Sequence, residues 1–211
     1  MRKGAEASLF LEEWHERKVI MKKRLPKNYR LPKLDEQIRT YRTMHEPQLI
    51  HRAKEAGVPT PAIFMIDGKN SAIIMEFIEG KQVKQVLNDL KQEERLQLCR
   101  RVGELIGQLH DHEIIHGDLT TSNMILTPDD KVVFVDFGLG EYSAELEIRG
   151  VDLHLMKRAF QSTHYRHAEE CFEAVMKGYE KIIGKTVMRS ILEKIKEIEK
   201  RGRYVEEREE R

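Results

Sequence analysis

The chain has 211 residues, 40% of them hydrophobic and 35% charged, with a formal net charge of +1 at pH 7. That balance suits a soluble globular protein of one large domain or two small lobes, and it neither demands nor excludes a nucleic-acid partner. No stretch approaches the roughly 18 continuous apolar residues of a membrane span, and the two cysteines, Cys99 and Cys171, lack the spacing of a metal site or a disulfide framework.

Residues 8–25 alternate in part and carry Phe10, Trp14, Val19 and Ile20, which predicts two strands joined around 12–17. Pro26 and Pro32 punctuate a basic connector. A helix is expected over 34–56, broken or kinked at Pro47 and ended by Gly57. Two strands follow near 62–66 and 71–76, with Asp67-Gly68 as their turn. Beyond Gly80 helices dominate. Leu98, Val102, Leu105, Ile106 and Leu109 form one apolar helical stripe that leads into Glu113-Ile114-Ile115-His116. Short strands at 124–126 and 132–135 flank the turn Pro128-Asp129-Asp130. Helices over 151–162, 168–183 and 186–201 follow, and the charged tail from Arg201 is expected to fray. The fold class is α+β, with a small β-rich N-terminal lobe over residues 1–79 and a mostly helical C-terminal lobe over 80–211.

Two segments carry chemistry. His116-Gly117-Asp118-Leu119-Thr120-Thr121-Ser122-Asn123 ends an apolar run, and Val133-Phe134-Val135-Asp136-Phe137-Gly138 is an apolar strand delivering an acid to a glycine turn. Singly, these are residue types common in turns. Jointly they match what phosphoryl transfer from ATP needs: a carboxylate near the accepting oxygen and hard oxygen ligands for Mg²⁺ on the phosphates. Asp118 is the candidate base, and Asn123 and Asp136 are the candidate Mg²⁺ ligands. His116 suits packing and loop-holding better than proton transfer.

A phosphate-binding lysine is expected from an apolar strand, and Val19-Ile20-Met21-Lys22-Lys23 supplies it. Period-two alternation puts Lys22 on the face of Ile20 and Lys23 on the other, which favours Lys22. Of the two acids in the first helix, Glu36 and Glu46, Glu46 lies mid-helix where a partner for that lysine belongs. Gly4, Ala5 and Glu6 stand where a phosphate-covering loop would lie, although a single glycine is fewer than such loops carry. Met75, Glu76 and Ile78 belong to the segment that closes the first lobe and would meet the adenine edge.

These motifs resemble the protein-kinase superfamily and, more narrowly, the small atypical kinase of the KEOPS complex, the assembly behind threonylcarbamoyl-adenosine in tRNA. The resemblance runs end to end. It rests on Gly4-Ala5-Glu6-Ala7, Lys22 with Arg24-x-Pro26-Lys27-x-Tyr29-Arg30, Arg42-Thr43-x-x-Glu46, the two catalytic segments, Gly150-Val151-Asp152-Leu153 and Arg201-Gly202-Arg203. It implies a minimal two-lobed protein-kinase fold acting as an ATP- and Mg²⁺-dependent serine/threonine kinase, an ATPase, or both. By resemblance Asp152 braces the catalytic loop; a plain helix N-terminal acid is the simpler reading. Gly117 stands where protein kinases usually carry arginine, and the stretch after Gly138 is too short for a regulated activation loop.

The same resemblance implies a threonylcarbamoyl-transferase subunit on the C-terminal lobe and a small regulatory subunit on the N-terminal lobe. Lys22, Lys23, Arg24, Lys27, Arg30 and Lys33, with Arg201 and Arg203 in the tail, are candidates for tRNA phosphates or simply a solvated basic face. A small-molecule phosphotransferase of the aminoglycoside or choline type is the alternative, weakened by the short chain left for an acceptor-binding region. The ribosome-maturation RIO kinases lack an Asp-Phe-Gly of this form, so Asp136-Phe137-Gly138 argues against them. Residues 1–6 hold no apolar signal segment, and a cytoplasmic protein without membrane association is expected.

Overall fold

A computed structural model describes residues 2–3 and 7–209, with side chains over 7–201. Gly4, Ala5 and Glu6, the candidate phosphate-covering loop, lie outside the described residues. The chain opens with β1 (Arg2–Lys3), β2 (Ser8–Trp14) and β3 (Arg17–Lys23). The β2–β3 hairpin turns through His15 and Glu16, both at positive φ, the geometry that matches strand twist in a two-residue turn.

Helix α1 (Pro32–Glu55) begins with Pro32 in its first turn, where a missing N–H costs nothing, and ends before Gly57 at φ +84°. It starts two residues earlier than expected and is not broken at Pro47. Losing one helical hydrogen bond there is offset by burial on both sides of the proline, since Thr43, Glu46, Leu49, Ile50 and Ala53 all face inward. Strands β4 (Ile63–Asp67) and β5 (Ala72–Glu76) complete an antiparallel sheet of order β1-β2-β3-β5-β4. Their connection is longer than Asp67-Gly68 alone. The Asp67 carboxylate accepts bonds from the backbone and side-chain amides of Asn70 at 3.0 and 2.7 Å, and Ser71 takes φ +51°.

The helical part follows through β6 (Lys81–Gln82), α2 (Val83–Val86), α3 (Gln92–Asp111), β7 (Ile114–Ile115), β8 (Met124–Leu126), β9 (Val132–Phe134) and β10 (Glu141–Tyr142). It ends in α4 (Leu146–Thr163), α5 (Ala168–Ile183) and α6 (Lys185–Glu209). Strands β6, β8 and β9 form one small sheet, and β7 pairs with β10. The two-residue strands and α2 are too short for any period to declare them in sequence. Leu98, Val102, Ile106 and Leu109, four of the five expected stripe residues, are buried against Leu153, Met156, Phe160, Val175 and Tyr179; Leu105 packs at their edge. Helices α3 and α5 meet at backbone contact. A Cβ on Gly103 would fall 1.9 Å from the Val175 carbonyl oxygen, and one on Gly178 would fall 1.9 Å from that of Arg100.

Two further boundaries differ from expectation. Helix α4 starts at Leu146 rather than near 151, so Asp152 lies in its second turn and is not a helix N-terminal acid. Helix α6 runs on to Glu209 instead of fraying after Arg201. Its Arg/Glu/Lys-rich sequence is a good helix former, and Arg201 bonds the Glu147 carboxylate on α4 at 2.7 Å. Cys99 and Cys171 are free and buried, as expected. Among the described residues no helix is long and apolar enough to cross a membrane.

Candidate active site

Strand β3 delivers Lys22 to the interior, 4% exposed, while Lys23 is half-buried on the opposite face. The alternation of the strand thus separates the two lysines. Lys22 Nζ donates to Glu46 Oε1 of α1 at 2.7 Å and to Asp136 Oδ1 at 2.6 Å. Glu46 is 1% exposed, whereas Glu36 faces solvent. Burial alone would push the Lys22 ammonium towards neutrality. The Glu46 and Asp136 carboxylates outweigh it, and the lysine stays above its ordinary range, hence charged. Asp136 shows the mirror image. Partial burial pushes its pKa up, the Lys22 charge pulls it down, and the carboxylate ends below the usual range although half its side chain is exposed.

The same carboxylate of Glu46 holds a second cation. Arg24 continues the β3 ladder, its N–H donating to the Ser71 carbonyl at 2.9 Å. It therefore points to the Lys22 face, two residues on. Its Nη2 bonds Glu46 Oε2 and its Nη1 bonds Thr43 Oγ1 at 3.2 Å, with the residue 2% exposed. This corrects the basic-face reading for Lys22 and Arg24. Both charges are turned inward and paired, and cannot meet tRNA phosphates. Arg30 is also engaged, 3.6 Å from the Asp35 carboxylate. The spacing Lys-x-Arg at the end of a strand was the available signal for Arg24's position.

The candidate catalytic segment, 116–123, is suspended between two strands and a helix. β7 enters it, and Asp152 of α4 clamps it from below. Asp152 Oδ2 accepts the His116 N–H at 2.9 Å and Oδ1 accepts that of Gly117 at 3.0 Å. Asp152 also meets His110 Nε2 at 3.3 Å, and His110 Nδ1 meets the Tyr179 hydroxyl at 3.0 Å, a fully buried polar chain running into α5. His116 itself is buried. Its Nε2 faces the Val135 carbonyl at 3.2 Å, its Nδ1 accepts the Asp118 N–H at 3.3 Å, and its ring lies 4.5 Å from that of Phe137. Both ring nitrogens are committed, which suits loop-holding and leaves no lone pair for proton transfer.

Gly117 sits at φ +78°, and a Cβ there would lie 2.2 Å from the Leu139 carbonyl oxygen. No side chain, arginine included, fits while the segment after Asp136 packs this closely. That segment is pinned along its length. Glu141 and Tyr142 pair with Ile115 and Ile114, the Ser143 N–H bonds the Glu113 carbonyl at 2.8 Å, and α4 starts at Leu146.

Asn123 Nδ2 donates to Asp118 Oδ2 at 2.8 Å and to the Asp118 carbonyl at 2.9 Å. That orients the base candidate, leaves Asp118 Oδ1 for an acceptor, and makes Asn123 Oδ1 the remaining acceptor of that amide. Pairing of β8 with β9, continued by the Val135 N–H to the Asn123 carbonyl at 2.9 Å, brings Asn123 beside the turn that carries Asp136 at φ +67°. One carboxylate and one amide oxygen form a donor set that fits a hard divalent cation whose other ligands are phosphate and water. Among the described residues no three His, Cys, Asp or Glu side chains form a closed cage.

The hinge candidates are not grouped with these residues in one way. Met75 is buried in β5 opposite Ile20. Glu76 exchanges its N–H with the Ala62 carbonyl at 2.8 Å and its carboxylate with the Ala62 N–H at 3.0 Å, so its polar groups are used inside the sheet. Ile78 lies half-buried in the connection between β5 and β6.

Comparison with known proteins adds three findings. Residues 12–143, well over half of the chain, match the RIO domain. The matched stretch includes Asp136-Phe137-Gly138, so that tripeptide does not set the chain apart from RIO proteins. A match that runs over residues 12–143 outweighs one tripeptide. The chain is 51% identical to the KEOPS complex subunit Bud32 of Pyrococcus abyssi over 98% of its own length and 96% of that protein. It is 46% identical to a probable bifunctional tRNA threonylcarbamoyladenosine biosynthesis protein of Methanothermobacter thermautotrophicus, and 40% identical to one of Methanocaldococcus jannaschii. It covers 97% of itself in both, but only 36% of those longer proteins, about a third of their length.

Proposed function

The chain belongs to the RIO domain family, and on that footing we propose that it is the kinase-like subunit of a KEOPS complex, using ATP in support of threonylcarbamoyl-adenosine formation on tRNA. The observation that carries the reading is the buried Lys22 held between Glu46 and Asp136, with Asp118 and Asn123 on the facing loop. Near full-length similarity to a KEOPS subunit favours this over a small-molecule phosphotransferase.

In this reading Lys22 orients the nucleotide phosphates and Glu46 keeps the ammonium aimed. Asp118 takes the proton of the acceptor, a serine or threonine hydroxyl or a water. Asn123 and Asp136 hold Mg²⁺, which when bound neutralises phosphate charge. The backbone around Ile78 contacts adenine, and residues 4–6 cover the phosphates. The boundary between an N-terminal nucleotide-binding lobe and the C-terminal lobe lies at Gly80. The transferase subunit docks on the latter and a small regulatory subunit on the former.

The test is ADP release by the purified chain, alone and with its transferase partner. Asp136→Ala is expected to abolish turnover in both settings. Full residual activity would overturn the mechanism. A second expectation concerns the basic tail: deleting residues 201–211 weakens complex-dependent tRNA modification, read as modified nucleoside, and unchanged modification removes the tail from tRNA contact.

A further inference from the structure

We propose that Arg24 is the positioning residue that keeps α1 docked and Glu46 aimed, so that Lys22 is free to serve the nucleotide without any activating modification. The inference rests on the reading of this cleft as the phosphate site.

The geometry divides the work between the two cations. Lys22 makes one bond to α1, through Glu46 Oε1, and spends its other on Asp136 across the cleft. Arg24 makes two bonds to α1, one to Glu46 Oε2 and one to Thr43 Oγ1, a turn earlier on the helix. Thr43 is itself fixed, its hydroxyl donating to the Arg39 carbonyl at 2.7 Å. A planar fork anchored at two points on one helix face restrains rotation as well as distance; a single ammonium restrains only distance. Arg24 is also at the cleft and not behind it. A Cβ built on Gly138 would lie 3.1 Å from Arg24 Nη2, 3.2 Å from Asp136 Oδ1 and 3.5 Å from Lys22 Nζ.

The charge count points the same way. Lys22 and Arg24 balance Glu46 and Asp136. When Lys22 turns to phosphate, Glu46 would be a buried carboxylate without a counter-charge, a costly state, unless Arg24 remains on it. Residues 139–145 offer no long segment on which a phosphate could perform this task, because they are pinned to β7 and lead directly into α4. The cation built into the end of β3 does it permanently.

Hydrogen exchange of the full chain without nucleotide tests this directly, with wild type, Lys22→Met, Arg24→Met and Arg24→Lys. Lys22→Met is expected to leave amide protection around 43–50 within threefold of wild type. Arg24→Met should lower it tenfold or more, and Arg24→Lys should recover part of the loss. Equal loosening by Lys22→Met and Arg24→Met, or none by either, overturns the proposal. Steady-state ATP turnover provides the second readout. Arg24→Met should reduce kcat ten- to a hundredfold with KM for ATP changed less than threefold. A KM effect as large as the kcat effect would make Arg24 a nucleotide ligand instead and overturn the positioning role. Absence of turnover in wild type would count against the nucleotide reading, while the exchange pattern would still decide for or against Arg24.

Discussion

Asp118→Asn is expected to slow ATP turnover about a thousandfold while leaving nucleotide affinity within a few-fold, because a general base contributes on that order and does not bind the nucleotide. The substitution is nearly isosteric. Its amide oxygen can still accept from Asn123 Nδ2, so the loop keeps its shape. What disappears is the lone pair that takes the acceptor proton. ADP release and a nucleotide-binding titration on the same preparation separate the two effects. Turnover within tenfold of wild type would remove Asp118 from the role of base. Measuring phosphoprotein and free phosphate together would also show which acceptor depends on it.

Asp152→Ala is expected to have the largest effect on stability, a loss of about 4 kcal/mol read from the shift of the urea midpoint. The carboxylate satisfies two backbone donors, those of His116 and Gly117, and faces His110 in a site closed to water. Leaving each buried donor unpaired costs roughly 1–3 kcal/mol. Asp152→Asn should fall between, since its one carbonyl oxygen can serve one N–H while its amide confronts the other. A loss under about 1 kcal/mol would mean that the loop finds other partners. Activity should fall with stability in both variants, because the loop that presents Asp118 hangs from these bonds.

The candidate site residues could be named from the sequence because phosphoryl chemistry restricts residue type and spacing together. Asp118, Asn123 and Asp136 follow from that restriction, and strand alternation separates Lys22 from Lys23. Glu46 over Glu36 follows from its place midway along a helix. The brace from Asp152 was suggested only by resemblance. Thirty-odd residues of chain separate it from His116, and no local pattern reports that contact. The inward turn of Arg24 was hidden for a different reason. Six cations within a dozen residues read as a surface patch, and only the continuation of the β3 ladder past Lys23 shows that two of them face the core. Pro47 failed as a break signal because tertiary burial on both sides outweighs one lost helical bond. The two-residue strands that pin 139–145 carry no period at all.

The contact between Gly117 and the Leu139 carbonyl bears on anyone wishing to retrofit this protein with a phosphorylation switch. Writing arginine at position 117 would not create a receiver for a phosphate. It would wedge the 116–123 loop away from the segment after Asp136, since the left-handed backbone and the carbonyl leave no room for a first side-chain carbon. The join between Gly117 and Leu139 is thus a tight backbone contact at the place where such a switch would need slack.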